Sequence, residues 1–197
     1  MTRILLLAFG VPALLVACAP DIGGHDDTAA DTAAPEGNVD EGDGTTTTVL
    51  DATDYETWVY FELESASTVS VGDPESSQGW DLAFQRYLPK LNGGVSGSGG
   101  VEVAVLEGDD FDAITTAPDD GYVTDEPDAD EDGVPEYAMA GWYDYDEATH
   151  VLSSKDDLVY VLRSVEGGFF KVRIESYYDD AGTPGFMTFR WGAVASP

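Results

Sequence analysis

The stretch WDLAFQRYLPKLNGGVSGSG, residues 80–99, decides the fold class of this chain. An aromatic, strand-like run ends in a tract of asparagine, glycine and serine. A phosphate-binding loop needs a lysine followed by serine or threonine at the start of a helix, and this tract has neither. Glycines instead permit a positive φ and a close approach between neighbouring backbones. We therefore predict a structural loop between strands at 80–88 and 101–106.

The rest of the chain repeats the strand periodicity. Apolar residues alternate with polar ones, and aromatic and β-branched residues dominate the same runs. The residues VEGG at 165–168 between two such runs predict a hairpin. No segment of ten or more residues keeps a helical period. The pattern predicts an all-β domain, mostly antiparallel, built as a sandwich or a distorted barrel; the supporting runs are TWVYFEL (57–63), VEVAVLE (101–107), LVYVLRS (158–164), FFKVRIESY (169–177) and FMTFRW (186–191).

The amino terminus has the pattern of a lipoprotein signal. Residues 1–17 combine one arginine, an apolar core and a small residue before Cys18, the only cysteine of the chain. This arrangement is typical of a secretory signal peptide. The ending LVAC also fits a bacterial lipobox, in which the cysteine thiol is acylated. We therefore predict a lipid anchor at Cys18 in a Gram-negative bacterium, at the outer membrane or cell surface.

Residues 18–45 differ in composition from the chain that follows. They contain eight acidic residues, no aromatic residue, and many alanines, threonines and glycines. Such a segment buries too little apolar surface to offset the entropy lost on ordering. We predict a disordered acidic tether here and a single domain over residues 46–197, which hold all four tryptophans and all ten tyrosines.

Charge excludes one class of function. The whole chain has a formal net charge of −31, and residues 46–197 contain only seven basic residues against thirty-one acidic ones. Binding to nucleic acid requires basic patches that neutralise phosphates, so we exclude it. We also predict no enzymatic activity, because the domain has one histidine and no nucleophile motif.

The amino-acid sequence resembles those of the HmuY-like haem-binding lipoproteins over roughly residues 46–192. In that family a W-D-x-A-x-x-R-Y strand runs into an Asn-Gly-rich loop. The positions that match this signature are Trp80, Asp81, Ala83, Arg86, Tyr87, Asn92 and Gly97. Further ordered matches are TVLDATDYETWVYFEL (48–63), AITTAPDDGYVTD (113–125), AGWYDYD (140–146), VYVLRSVEGGFFKVRIESYYD (159–179) and GFMTFRW (185–191).

This resemblance implies an all-β surface or outer-membrane lipoprotein that captures haem, with a haem-carrying protein or an outer-membrane receptor as partner. Family members hold the iron between two histidines or two methionines, from segments before and just after the tryptophan that matches Trp142. This chain departs from that pattern. Its only candidates there are Met139 and His150, and the nearer positions hold Asp146 and Glu147.

Both candidates have a structural alternative. Met139 alternates with Tyr137 and Tyr143 in a strand-like run, which is also typical of a core residue. His150 stands in the turn sequence DEATH, where a surface histidine is an ordinary finding.

The segment before Trp142 also has a second interpretation, as a calcium-binding loop. The residues DADEDG place Asp128, Asp130 and Asp132 at alternate positions, followed by a glycine, and Glu136 comes four residues after Asp132. Oxygen ligands with this spacing suit Ca²⁺. The glutamate that would complete an EF-hand is replaced by Met139, so a looser calcium loop and a solvated acidic loop both stay open.

Two functions follow from the sequence. The leading hypothesis is a lipid-anchored protein that binds haem, or a similar planar ligand, for iron acquisition. The alternative is a calcium-stabilised, non-catalytic module of the cell envelope that does not bind haem.

Overall fold

The computed structural model describes residues 37–197. The predicted signal peptide, Cys18 and the tether as far as residue 36 lie outside this range. Within it, the only helices are two short 3-10 turns, Phe111–Ala113 and Ala140–Trp142. Over the same residues, no helix has the length and apolar character needed to cross a bilayer.

Strands make up the rest of the regular structure, as the periodicity predicts. They are β1 (Gly37–Asp40), β2 (Thr46–Asp51), β3 (Val59–Glu62), β4 (Ser67–Val69), β5 (Leu82–Gln85), β6 (Leu88–Leu91), β7 (Glu102–Glu107), β8 (Tyr122–Val123), β9 (Tyr143–Asp146), β10 (Val151–Ser154), β11 (Leu158–Arg163), β12 (Phe169–Tyr178) and β13 (Pro184–Val194).

All pairings between these strands are antiparallel. Seven strands form one sheet in the order β1-β2-β13-β12-β11-β7-β8, and four form a second in the order β4-β3-β5-β6. Strands β9 and β10 form a separate two-stranded hairpin. The hairpin predicted at VEGG is confirmed, because it joins β11 to β12.

The core lies between the two larger sheets. Phe189 on β13 meets Phe61 on β3 and Phe84 on β5, with ring centroids 5.5 Å apart in both pairs. Met187, Phe189 and Trp191 point the same way because side chains alternate along a strand. The all-β prediction is therefore confirmed, and of the two predicted forms the structure has the sandwich.

The ordered domain begins before Thr46. Strand β1, Gly37–Asp40, lies within the segment that its composition predicts to be disordered, and it pairs with β2. Asp43 is tied to Arg190 on β13 at 2.7 Å, and Thr45 is buried. Edge pairing and an ion pair therefore hold residues 37–45, whose one large apolar side chain, Val39, is exposed.

The glycine tract is a structural loop, as its residue types predict. Asn92 is fully buried, and its amide donates to the carbonyls of Ser77 and Trp80 at 2.8 Å each. Its carbonyl oxygen accepts from the amide of Gly99 at 3.0 Å. A Cβ on Gly97 would lie 2.1 Å from that oxygen, so a glycine is required for the backbone to close on Asn92.

Asp81 connects this loop to both sheets. Its carboxylate accepts from the amides of Leu63, after β3, and Val165, after β11, at 2.8 Å each. Burial, reinforced by the nearby Glu64 and Glu62, raises the pKa of Asp81 to about 6 although both hydrogen bonds oppose the shift. We call residues 80–99 the signature segment.

Candidate functional site

The segment that follows Trp142 forms the β9–β10 hairpin, and Asp146 closes its turn. The Asp146 carboxylate accepts from the amide of Ala148 at 2.8 Å, while its carbonyl accepts from the amide of His150 at 2.7 Å. Hydrogen bonds from Ala148 and Thr149 lower the pKa of Asp146. His150 then turns the chain back with a φ of 58°. The turn predicted at DEATH is thus present.

His150 is exposed at this turn and contacts one aromatic neighbour. Its Nδ1 forms a hydrogen bond with the hydroxyl of Tyr145, whose side chain is 50% exposed. The two rings are tilted, with centroids 6.0 Å apart. We call residues 145–151 the hairpin end. Tyr145 is not among the site residues predicted from the sequence, although the alternation Tyr-Asp-Tyr-Asp before the turn is a signal for an exposed tyrosine there.

Met139 lies in a different environment. It is fully buried and belongs to the main hydrophobic core, as its structural alternative predicts. It immediately precedes the 3-10 turn Ala140–Trp142, and its carbonyl accepts from the hydroxyl of Tyr160 at 3.2 Å. The Trp142 indole nitrogen donates to the carbonyl of Tyr87 at 2.9 Å, which fixes this turn against the signature segment.

Met139 and His150 are not brought together. Strand β9 is extended and rises about 3.3 Å per residue, so its end at Asp146 lies about 13 Å from Trp142. His150 lies beyond that end, whereas Met139 precedes Trp142 in the core. The two donors therefore cannot hold one iron from opposite sides in this conformation.

A group of tyrosines continues from the hairpin across the molecule. Tyr143, on the same face of β9 as Tyr145, packs edge-on against Tyr87 at 5.8 Å, and Tyr87 packs against Tyr177 at 6.1 Å. We call Tyr55, Tyr87, Tyr143 and Tyr177 the tyrosine strip. Tyr55 and Tyr87 are 77% and 39% exposed, so this strip offers aromatic surface to solvent.

Arg86 is the cation of the tyrosine strip. Its guanidinium lies 4.4 Å from the ring centroid of Tyr55 and 5.4 Å from that of Tyr177. It also donates to the carbonyls of Thr53 and Pro184 at 2.8 and 3.1 Å. An aromatic surface with one embedded guanidinium is suited to a planar ligand that bears carboxylates.

Two cavities flank these elements. One of about 300 Å³ lies beside the Ala140–Trp142 turn, between Lys155 and Tyr160, and Lys155 donates across it to the Gly141 carbonyl at 2.9 Å. A larger one of about 590 Å³ lies between β1–β2 and β3–β4. Neither contains His150 or Met139 in its lining, so neither is a preformed pocket around the predicted axial donors.

The acidic loop brings together three of its four predicted calcium ligands. Carboxylate oxygens of Asp128, Asp130 and Glu136 lie within 4.8 Å of one another. Asp132 does not join them, since its carboxylate accepts from the amide of Val134 at 2.8 Å. The Asp128 carboxylate already accepts from the Gly133 amide at 2.8 Å. The loop is thus closed by its own hydrogen bonds, which account for its conformation without a cation.

The described residues fit one axial bond to haem iron but not two. An exposed imidazole and an exposed phenol stand together at the hairpin end, and both are iron ligands in proteins. The thioether of Met139 is sealed in the core, so it could reach a ligand only if the Ala140–Trp142 turn moved. The paired axial arrangement implied by the resemblance does not fit this conformation.

Comparisons with known proteins identify the family. No curated protein sequence matches the chain. Among solved structures, a candidate lipoprotein from Bacteroides fragilis is 26% identical with a TM-score of 0.59, over 82% of this chain and 97% of that one.

Two further solved structures share the fold. A candidate HmuY-like haem-binding protein from Bacteroides vulgatus is 24% identical, with a TM-score of 0.57 over 80% of this chain and 97% of that one. The apo form of an HmuY analogue from Tannerella forsythia is 16% identical, with a TM-score of 0.59 over 76% and 95%. The HmuY protein family matches residues 54–191, which include the signature segment and the hairpin. The chain belongs to the HmuY family.

Proposed function

We propose that this protein is a lipid-anchored haem-binding protein of the outer membrane or cell surface, acting in iron or haem acquisition. Support comes from membership of the HmuY family and from the lipobox that ends at Cys18. The observation that carries the proposal is the hairpin end, where Tyr145 and His150 form an exposed, hydrogen-bonded donor pair.

The surface beside this pair suits the rest of a haem molecule. The tyrosine strip offers aromatic faces to a planar ring, and Arg86 supplies a positive charge for a propionate. That charge matters because the domain carries a large negative net charge, which repels carboxylates. Bound haem would supply an iron centre, and the hairpin end would supply a side-chain ligand to it.

An absorption titration of the full chain with haemin, in the oxidised and reduced states, tests the proposal. We expect a sharp, saturable Soret band in at least one oxidation state. Met139→Leu should leave that band unchanged if Met139 stays in the core, and should alter it if the Ala140–Trp142 turn opens to deliver the thioether. Absence of any Soret shift in both oxidation states would contradict haem binding.

The anchor has its own test. Replacing the sole thiol by Cys18→Ser should release the protein from the membrane fraction or leave the signal peptide uncleaved, because acylation needs the cysteine sulfur. A Cys18→Ser variant that fractionates and migrates like the wild type would contradict the lipoprotein assignment.

The alternative function is a calcium-stabilised envelope module. The convergence of Asp128, Asp130 and Glu136 favours it. A cation that binds only the folded state raises the melting temperature by mass action. We expect such a shift with calcium to be lost when Asp128, Asp130 and Glu136 are replaced by Asn, Asn and Gln. Equal melting in calcium and in chelator would remove this alternative.

A further inference from the structure

We infer that the Tyr145 oxygen, held by His150, is the atom that bonds the iron, and that the site takes ferric rather than ferrous haem. This inference rests on the proposed function, since it names the ligand atom and the oxidation state at the same hairpin end. It differs from an axial bond made by His150 itself.

The geometry of the hairpin end supports the tyrosine. Tyr145 lies on the strand face that also carries Tyr143, so its hydroxyl is on the side of the tyrosine strip. His150 lies at the turn, and its Nδ1 faces the Tyr145 hydroxyl. A planar ligand that covers the strip is therefore next to the phenol, whose hydrogen-bond partner is the imidazole.

Formation of the bond to iron balances in atoms and charge without a change of oxidation state. The Tyr145 O–H bond breaks, its proton passes to His150 Nδ1, and the phenolate oxygen bonds Fe(III). The iron keeps its oxidation state, and the phenolate and imidazolium charges cancel. The hydrogen bond holds the Tyr145 oxygen next to His150 Nδ1, and the imidazole tautomer that carries its proton on Nε2 accepts the phenol proton there, so no other base is needed.

The surrounding charges favour the same oxidation state. Asp144, Asp146 and Glu147 are exposed next to the pair, and Lys155 pairs with Asp144 at 3.8 Å. A negative local field stabilises the more positive ferric ion relative to the ferrous one. A phenolate is in addition a hard oxygen donor, which prefers Fe(III), whereas a thioether such as Met139 raises the reduction potential.

Three variants of the full chain test the inference: Tyr145→Phe, His150→Ala and the control Tyr122→Phe. Tyr122 lies on β8 at the far edge of the large sheet, so its variant changes a tyrosine hydroxyl outside the site. With ferric haemin we expect the wild type and Tyr122→Phe to show a phenolate-to-iron charge-transfer band and a high-spin ferric electron paramagnetic resonance signal.

Tyr145→Phe should lose that band and weaken ferric haem binding by more than about tenfold. His150→Ala should keep the band but weaken binding about 10–100-fold, because the tyrosine loses the partner that positions it. An independent readout uses no haem: in nitrogen-15 spectra of the apo protein, Tyr145→Phe should shift the His150 Nδ1 resonance.

The outcomes separate the two proposals. Haem binding that survives Tyr145→Phe with an unchanged ferric spectrum overturns the inference and leaves the proposed function intact. Loss of ferric haem binding in His150→Ala, together with unchanged binding in Tyr145→Phe and no phenolate-to-iron band in the wild type, assigns the bond to the imidazole and also overturns it. A wild type without a Soret shift in either oxidation state overturns the proposed function itself.

Discussion

Four residues other than glycine have a positive φ in the described part of the chain, namely Ala66, Arg86, Glu131 and His150, and the two with long polar side chains next to the tyrosines lie in very different surroundings. Arg86, in the turn between β5 and β6, has a φ of 53°, and His150, at the hairpin end, has a φ of 58°. Left-handed backbone costs a side-chain-bearing residue roughly 1 kcal/mol, and glycine avoids this cost. Each position therefore needs a reason to keep its side chain.

For Arg86 the reason is structural. Its guanidinium holds the carbonyls of Thr53 and Pro184, and its backbone amide donates to the carbonyl of Ala52 at 3.0 Å. For His150 the described residues provide one exposed side-chain partner, Tyr145. Strain that the fold does not use is a pointer to binding. The signature segment thus maintains the sandwich, and the proposed haem binding would explain why a histidine rather than a glycine stands at the hairpin end.

The largest effect should come from Asn92→Ala in the signature segment. This change leaves the carbonyls of Ser77 and Trp80 and the amide of Gly99 without their partner in a buried site. We expect a loss of about 4 kcal/mol in the free energy of unfolding, measured by denaturant titration. The hairpin control, Thr149→Ala, should cost less than about 0.5 kcal/mol. Similar losses of unfolding free energy in both variants would contradict the view that the signature segment, rather than the hairpin, maintains the fold.

The next effect is the pH dependence that Asp81 imposes. Because burial raises its folded pKa to about 6, above the ordinary value of 3.8, the native state binds the proton more tightly than the unfolded chain. The stabilisation that protonated Asp81 provides is therefore complete below about pH 4 and is lost as the pH rises through about 6. Two pKa units correspond to about 3 kcal/mol. Burial also raises the pKa of Asp125, which acts in the same direction.

Melting curves at about pH 4.5 and about pH 7.5, which bracket the Asp81 titration, provide the measurement. The wild type should melt at a higher temperature at the acidic end, and Asp81→Asn should flatten this slope. A wild type that melts at a lower temperature on mild acidification would show that Asp81 is not the controlling group.

Arg86→Gly should have an intermediate effect. Glycine relieves the left-handed backbone, but two carbonyls lose a charged donor, and each such hydrogen bond contributes about 1.5–3 kcal/mol. We expect a net loss of about 2 kcal/mol by denaturant titration. Arg86→Lys is the matched control, since it keeps the charge without the planar fork. A neutral Arg86→Gly would remove the structural reason for this residue.

The sequence predicted the all-β fold better than the site, for a physical reason, although it did not distinguish a sandwich from a distorted barrel. Alternating apolar residues fix strands such as β12 and β13, because only one face of each can meet the core. Strand β1 could not be predicted in this way, because edge pairing and the Asp43–Arg190 ion pair, rather than apolar burial, hold residues 37–45.

The site depends on interactions that no local pattern contains. Whether Met139 is a ligand or a core residue is decided by the packing of the Ala140–Trp142 turn against Tyr87 and Tyr160. The pairing of Tyr145 with His150 depends on a turn that returns the chain over five residues. The tyrosine strip joins residues from four separate segments, so only the tertiary structure assembles it.

Of the two left-handed positions, His150 should show the smaller loss of stability when it is replaced by glycine, and this change sharpens the comparison most. Glycine adopts a φ of 58° without strain, while the substitution removes only the exposed hydrogen bond between the imidazole and Tyr145. We therefore expect an unchanged or slightly higher stability, within about 1 kcal/mol, together with weakened haem binding. Thermal melting and the haemin titration, performed on the same preparation, measure the two quantities. A loss of stability as large as that of Arg86→Gly would mean that His150 supports the fold. It would contradict the view that His150 is present for ligand binding.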